Sequence, residues 1–442
     1  MGVVDFDRYI QTLERRVLVK DIGKVTDVVG NLIEAYLPGA KLGSVCEIQA
    51  PGRPSIICEV IGFQDKKVLM MPLTDMSAIG FGSRIELLRT SASIRVGDEL
   101  LGRVINGLGE PIDGKGDIKL IKEAQLYKSS VNPLDRKPIN SPLDLGIKSI
   151  NAFLTVGKGQ RVGILAGSGV GKSVLMGMMA RSTQSDVNVI ALIGERGREV
   201  REFIENVLGE EGLKKSIIIA VTSDQSPLLR MRGAFVATAI AEHFSDQGKD
   251  VMLMMDSLTR FAMAQREIGL NAGEPVTTKG YTPSVFGLLP KLLERAGNFD
   301  HGGSITGLYT VLVEGDDMDD PIADSVRSIV DGHIVLDRRL AQRGHFPAID
   351  VLQSASRVMP NVISHDHAEA VEVARRNLAL YRENEDLIRI GAYQTGANHE
   401  LDVAIQANEQ LEKFLKQQVS EEWTFEQAIN ELTNVASGHE EI

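Results

Sequence analysis

The stretch RVGILAGSGVGKSVLMGMMAR, residues 161–181, decides the fold. It opens with an apolar run, passes through a glycine-rich segment, and continues as the helical pattern SVLMGMMAR. Strand, loop and helix in that order are the setting a phosphate-binding loop needs. Glycines let the backbone curl so that successive N–H groups point at phosphate oxygens. The helix that follows adds its positive N-terminal end. Gly167, Ser168, Gly169, Val170 and Gly171 form the expected cradle, with Val174 just inside the helix. Lys172 would neutralise the β- and γ-phosphates, and the Ser173 hydroxyl would bind Mg²⁺. Ala166 stands where the strict motif has glycine.

Outward from this loop, apolar runs alternate with helical stretches from Ile147 to about Arg357. Candidate strands are Arg161–Leu165, Val187–Ile193, Ser216–Val221, Val251–Met255, Leu308–Val313 and His333–Leu336. Continuous runs such as VNVIALI and VMLMM suit strands covered on both faces, so a mostly parallel α/β sheet follows. Asp256 ends one such run, at the sheet edge where ligands bind and where a carboxylate can hold Mg²⁺ through water. Glu195 leaves another strand end and could polarise the water that attacks a γ-phosphate; a surface salt bridge fits the same spacing. Arg196 could hold that carboxylate or the phosphate.

Before the sheet, residues 22–92 carry short β-branched runs separated by Gly, Pro and Asn turns, the pattern of a small antiparallel barrel or sandwich. Residues 93–142 are rich in turns, and Pro133, Pro138 and Pro142 mark an extended connection. Residues 4–20 read as an amphipathic helix with Phe6, Ile10, Leu13 and Val17 on one stripe, either a packed terminus or a docking helix. After Pro360 the chain turns helical, with Val371, Ala374, Leu378 and Tyr381 on one face.

Composition narrows the function. At 442 residues the chain is long enough for two or three domains. With 43% apolar and 24% charged residues it is neither disordered nor collagen-like. No uncharged apolar run approaches the ~20 residues of a membrane helix. Acids precede any apolar stretch at the start, which does not read as a secretory signal. Cys46 and Cys58 give no disulfide framework, fit a reducing cytoplasm, and read as buried strand residues. The 48 basic against 60 acidic residues leave a net charge of −12, which disfavours a nucleic-acid partner. The eight histidines show no ligand spacing, and Met176–Met179 reads as helix core.

Five stretches then carry a family resemblance: AGSGVGKSVLMGMMAR (166–181), IALIGERGREVREFIE (190–205), DQSPLLRMRGAFVATAIAEHF (224–244), MMDSLTRFAMAQREIGL (254–270) and VEGDDMDDPIADSVRSIVDGHIVL (313–336). They resemble the flagellar type III protein-export ATPases, relatives of the catalytic subunits of rotary ATP synthases and of the virulence type III secretion ATPases. PAIDVLQSAS (Pro347–Ser356) matches a signature shared by rotary-ATPase α and β subunits. The resemblance spans residues 20–417. It implies an N-terminal β-barrel (21–92), a central RecA-like P-loop parallel-sheet ATPase domain (93–360) and a C-terminal helical domain (361–442), with a partner-docking helix at 1–20. It implies ATP and Mg²⁺, with Lys172 and Ser173 as the phosphate-loop pair and Glu195 as catalytic carboxylate, since non-catalytic subunits of this superfamily have Gln there. Arg357 matches an arginine finger supplied across a subunit boundary, and Phe346 matches an aromatic stacked on adenine. A second adenine-wall residue is expected near Phe414–Ser420. The implied partners are a homo-hexamer, a stator-like regulator at the N-terminal helix, a central stalk protein touching the acidic run 314–320, export substrates and chaperones, and a membrane export gate reached peripherally from the cytoplasm at the base of the export apparatus. The alternatives are an injectisome ATPase, an RNA-tracking helicase, which would want a basic, aromatic barrel, and a nucleotide-binding subunit without turnover.

Overall fold

The computed structural model describes residues 20–49, 54–74, 79–129, 131–300, 302–313, 315, 317 and 319–437. The expected helix at 4–20 therefore lies, but for Lys20, outside the described residues. The chain forms two compact units, one of residues up to Ser93 with Glu267–Glu274, the other of Ile94–Arg266 with Pro275 onward.

In the first unit, β1 (Ile22–Val29), β2 (Leu32–Tyr36), β3 (Val45–Ile48), β4 (Ile56–Gln64), β5 (Lys67–Pro72) and β6 (Arg84–Arg89) close an antiparallel barrel in the order β1-β2-β5-β4-β3-β6. Alternate residues of β1 and β2 turn inward, so Val25, Ile33 and Ala35 meet Ile48, Val60 and Met70 in a common core. Closure removes the unpaired edges that an open sheet of this size would expose. Cys46 and Cys58 face each other across β3 and β4, fully buried, as expected for strand residues. Burial pushes the Cys46 thiol up to about 12, so it is chemically inert.

The second unit is built on a sheet in the order Ala355–Ser356, Gly332–Leu336, Arg161–Ala166, Ser304–Leu312, Asp250–Asp256, Val187–Ile193, Ser216–Val221, Val104–Ile105. All neighbours are parallel except Ala355–Ser356 at one edge and the short Gly297–Asn298, which pairs off this path. Val187–Ile193 and Ser216–Val221 are buried along their whole length, as two-sided cover by helices requires. Asn188 tolerates this because its amide donates to Ala180 O at 2.8 Å and accepts from Ser185 Oγ at 2.6 Å.

The largest departures from expectation are one strand start and the strands of the connection before the sheet. The strand expected from Leu308 starts at Ser304, because Ser304 Oγ bonds Asp250 Oδ1 and Thr306 Oγ1 accepts from Gly159 N, so polar residues are satisfied inside the sheet. The turn-rich connection contributes Val104–Ile105 to the sheet edge, and Ser93–Val96 pairs with Lys122–Gln125.

The helices His365–Arg389, His399–Leu415 and Phe425–Ser437 share this unit's core. Phe414 packs on Phe153 with ring centroids 6.1 Å apart, and His367 bonds Ala152 O at 2.7 Å. These contacts fix the chain that follows Leu415 beside the phosphate-loop helix. Among the described residues no helix is long and apolar enough to cross a membrane.

Candidate active site

Strand Arg161–Ala166 delivers the loop 167–171, and helix Lys172–Ser182 follows. Gly169 (φ +78°) and Gly171 (φ +91°) take the left-handed conformation that a side chain would strain. Ala166 still belongs to the strand, so the missing motif glycine costs nothing there. Met176, Met178 and Met179 are buried, as expected for the helix core.

Three strand ends converge on this loop. Lys172 Nζ forms an ion pair with Asp256 Oδ1 and stands 3.9 Å from Glu195 Oε1. Asp256 Oδ1 also accepts from Thr310 Oγ1 at 2.8 Å. Burial, reinforced by the nearby Asp256 carboxylate and a hydrogen bond with Glu199, pushes Glu195 up to about 7, although Lys172 pulls the other way. A carboxylate poised there suits a general base. Burial raises Glu199, but its hydrogen bond with Glu195 and the Arg196 guanidinium outweigh this and hold it below the usual carboxylate range.

Arg196 is not brought to the phosphate loop. Its side chain is 79% exposed and pairs with Glu199 at 3.2 Å, so it meets Glu195 only through Glu199. The reason is local: Arg196 caps helix Gly197–Glu202 and its side chain turns along the helix surface. The arginine packed against this turn is Arg260, whose aliphatic stem lies over Gly194 and which the sequence reading missed. A side chain at Gly194 would collide with Arg260, whose Nε is buried with no hydrogen-bond partner. Asp256 ends its strand and the helix carrying Arg260 begins at Leu258, so no local spacing pointed to it.

Phe346, 47% exposed, lines a cavity of about 830 Å³ together with Gly171, Val174 and Leu175. Within the window expected to hold a second adenine wall, Gln417, Gln418 and Val419 line this cavity, whereas Phe414 is buried in the core. Lys148 and Trp423 line it as well and were not anticipated.

Arg357 lies elsewhere. Its N–H bonds Asp331 O, and Asp331 in turn pairs with Arg161, the first residue of the phosphate-loop strand. The loop leaves the other end of that six-residue strand, a rise of about 17 Å. No rotamer of Arg357 spans that gap. The guanidinium is exposed, reaches only Val330 O and Arg327 O at 3.5 Å, and has no acidic partner among the described residues.

Ser173 and Asp256 fit a magnesium ion by donor chemistry. Both offer hard oxygens, Ser173 is exposed at the helix start, and Asp256 Oδ2 has no partner among the described residues.

A phosphate loop, a strand-end aspartate and a glutamate poised near neutrality, carried on a parallel sheet that follows a six-stranded barrel in the chain, define an ATPase of the phosphate-loop class. Comparison with known proteins narrows this. The ATP synthase alpha/beta family nucleotide-binding domain matches residues 146–356, and the T3SS EscN ATPase C-terminal domain matches residues 363–434. A flagellum-specific ATP synthase of Bacillus subtilis (strain 168) is 53% identical over 434 residues, 98% of this chain and 99% of its own. The assembled ATPase EscN from the enteropathogenic E. coli type III secretion system superposes with a TM-score of 0.89 at 46% identity, covering 94% of this chain and 100% of that one. The same ATPase in complex with its central stalk EscO gives 0.87 at 45% identity, with the same coverage. The chain belongs to the flagellum-specific ATP synthase family.

Proposed function

We propose that this chain hydrolyses ATP as one member of a hexameric ring that energises flagellar type III protein export. The observation that carries the ring is the separation of Arg357 from its own phosphate loop. A cation placed at the wrong end of its own sheet, exposed and without an acidic partner, suits a site on the neighbouring protomer. In each site Lys172 moves from Asp256 to the β- and γ-phosphates. Glu195 orients water and takes its proton as the oxygen attacks the γ-phosphorus in line with the breaking bond to the bridging oxygen. The neighbour's Arg357 stabilises the charge that develops on the phosphoryl oxygens. Magnesium, held by Ser173 and by Asp256 through water, would neutralise charge on the β- and γ-phosphates. Arg196 positions Glu199 and so acts on Glu195 indirectly. The base sits on Phe346 with Gln417–Val419 nearby.

The test is specific ATPase activity against protein concentration, read beside the mass of the assembly. A steep rise as the ring assembles is expected. Constant activity from a species of monomer mass would overturn the ring.

The remaining partners follow from the family. EscN binds a central stalk EscO, and an acidic loop in 314–320 of this chain would meet such a stalk. Asp317 there pairs with Lys279 at 2.9 Å, so the loop is tethered to the segment Thr278–Gly280. Asp317→Lys should abolish stalk binding in a pull-down while leaving basal turnover unchanged; persistent binding would leave the loop merely solvated. The segment 1–20 would dock a stator-like regulator. Export substrates and chaperones are the cargo, delivered from the cytoplasm to a membrane export gate that the ring reaches peripherally. The likeness to EscN supports an injectisome role as the second reading.

A further inference from the structure

The base cavity contains an ammonium that the mechanism above does not use. Lys148 lines the cavity and is 5% exposed. Its Nζ stands 4.4 Å from the centroid of the Trp423 ring and 5.5 Å from that of Phe414, and it has no hydrogen-bond or ion-pair partner among the described residues. Aromatic faces attract a cation but offer it no lone pair in the plane of a hydrogen bond. The Nζ stands at the cavity wall without an acceptor of its own, and a group entering the cavity can supply one.

The other polar groups around the cavity cannot substitute for it. Gln417 is spent: its Oε1 accepts from Lys148 N, and its Nε2 donates to Gly146 O and Glu421 O. Lys413 is paired with Glu409 on the surface, and Lys416 and Gln418 are exposed. Glu421 can only accept, and it already faces Trp423 Nε1 at 3.4 Å. Lys148 is therefore the one buried, uncommitted donor among the described residues lining the cavity. An ammonium donates and never accepts. What it can recognise on adenine is a ring nitrogen with a free lone pair, and adenine presents three, at positions 1, 3 and 7.

We propose that Lys148 reads a ring-nitrogen acceptor of the purine base and so sets base preference at the ATP site. The proposal rests on the nucleotide-site reading above, and its test separates the two. Trp423 is the single tryptophan of the chain and lines the cavity, so its fluorescence reports occupancy directly. The full-length protein is titrated with ADP, 1-deaza-ADP, 3-deaza-ADP and 7-deaza-ADP, which are not hydrolysed. One deaza analogue should bind about tenfold more weakly than ADP, the size expected for a hydrogen bond from a charged donor. Lys148→Met should close that gap by weakening ADP and the analogues that keep the nitrogen, leaving the deficient analogue unchanged, and Lys148→Arg should keep it. A purely structural Lys148 would weaken all four nucleotides alike. Equal binding of all four to the unaltered protein, or a gap that survives in Lys148→Met, overturns the proposal. The first of these outcomes needs no variant to fold. If ADP does not bind at all, or binds unchanged in Lys172→Ala, the nucleotide-site reading falls and this proposal with it.

Discussion

Arg357→Ala is expected to bind ATP normally and to lose turnover by about 10³-fold or more, the range measured where an arginine finger is removed. Binding survives because the loop, Lys172 and the base cavity belong to the other end of the sheet, and Arg357 touches none of them within its own chain. Turnover falls because the γ-phosphoryl oxygens lose a positive charge that a neighbouring protomer contributes only in the transition state. Mixing distinguishes this from damage to the fold. Arg357→Ala chains retain an intact phosphate loop, and Lys172→Ala chains retain an intact finger. Co-assembled, they form some interfaces that have both, so activity should reappear on mixing two inactive proteins. Turnover that is unchanged in Arg357→Ala, or no recovery on mixing, would remove Arg357 from the site. Either result would also remove the physical reason for a ring.

What could be read from the sequence depends on how local each feature is. The phosphate loop and its strand and helix lie within 21 consecutive residues, so their geometry follows from glycine conformation and apolar run length. The strand-end placement of Glu195 and Asp256 is legible for the same reason, because each follows its own apolar run. The barrel is legible as a class, and its closure appears only when β1 pairs with β6 across some 60 residues of chain. The base cavity is the least legible part. Lys148 and Gln417 are 269 positions apart and meet through one hydrogen bond. Neither residue belongs to a local pattern, and Trp423 lies just past the window that family likeness suggested. Arg196 and Arg260 show the complementary failure. Adjacency to Glu195 favoured Arg196, whereas its helix turns Arg196 outward and a second helix brings Arg260, 64 positions later, beside Gly194. Which residues a strand end faces is decided by the neighbouring strands, and those come from elsewhere in the chain.

Glu195→Gln carries the second large effect. The amide has nearly the same shape as the carboxyl group, so nucleotide binding and ring assembly should be retained. It cannot take a proton, and general-base assistance is worth about 10²–10⁴ in rate, so kcat should drop by that order. The pH profile adds a check that a merely structural glutamate would fail. In the free protein burial and the Asp256 carboxylate push Glu195 up to about 7. Below that pH the group is mostly protonated and cannot act as a base. In the unaltered protein kcat/KM should therefore fall about tenfold per pH unit below 7 and level off above it, because kcat/KM reports the free enzyme's essential base. In Glu195→Gln the residual kcat/KM should be flat across the same range. Asp256→Asn separates the causes of the shift: removing the neighbouring charge should move the inflection to lower pH, in the direction that relieved repulsion dictates. That substitution will also weaken turnover, and the position of the inflection can still be read from the remaining rate. An inflection near 7 that persists in Glu195→Gln would assign the titration to another group and leave the attacking water without its base.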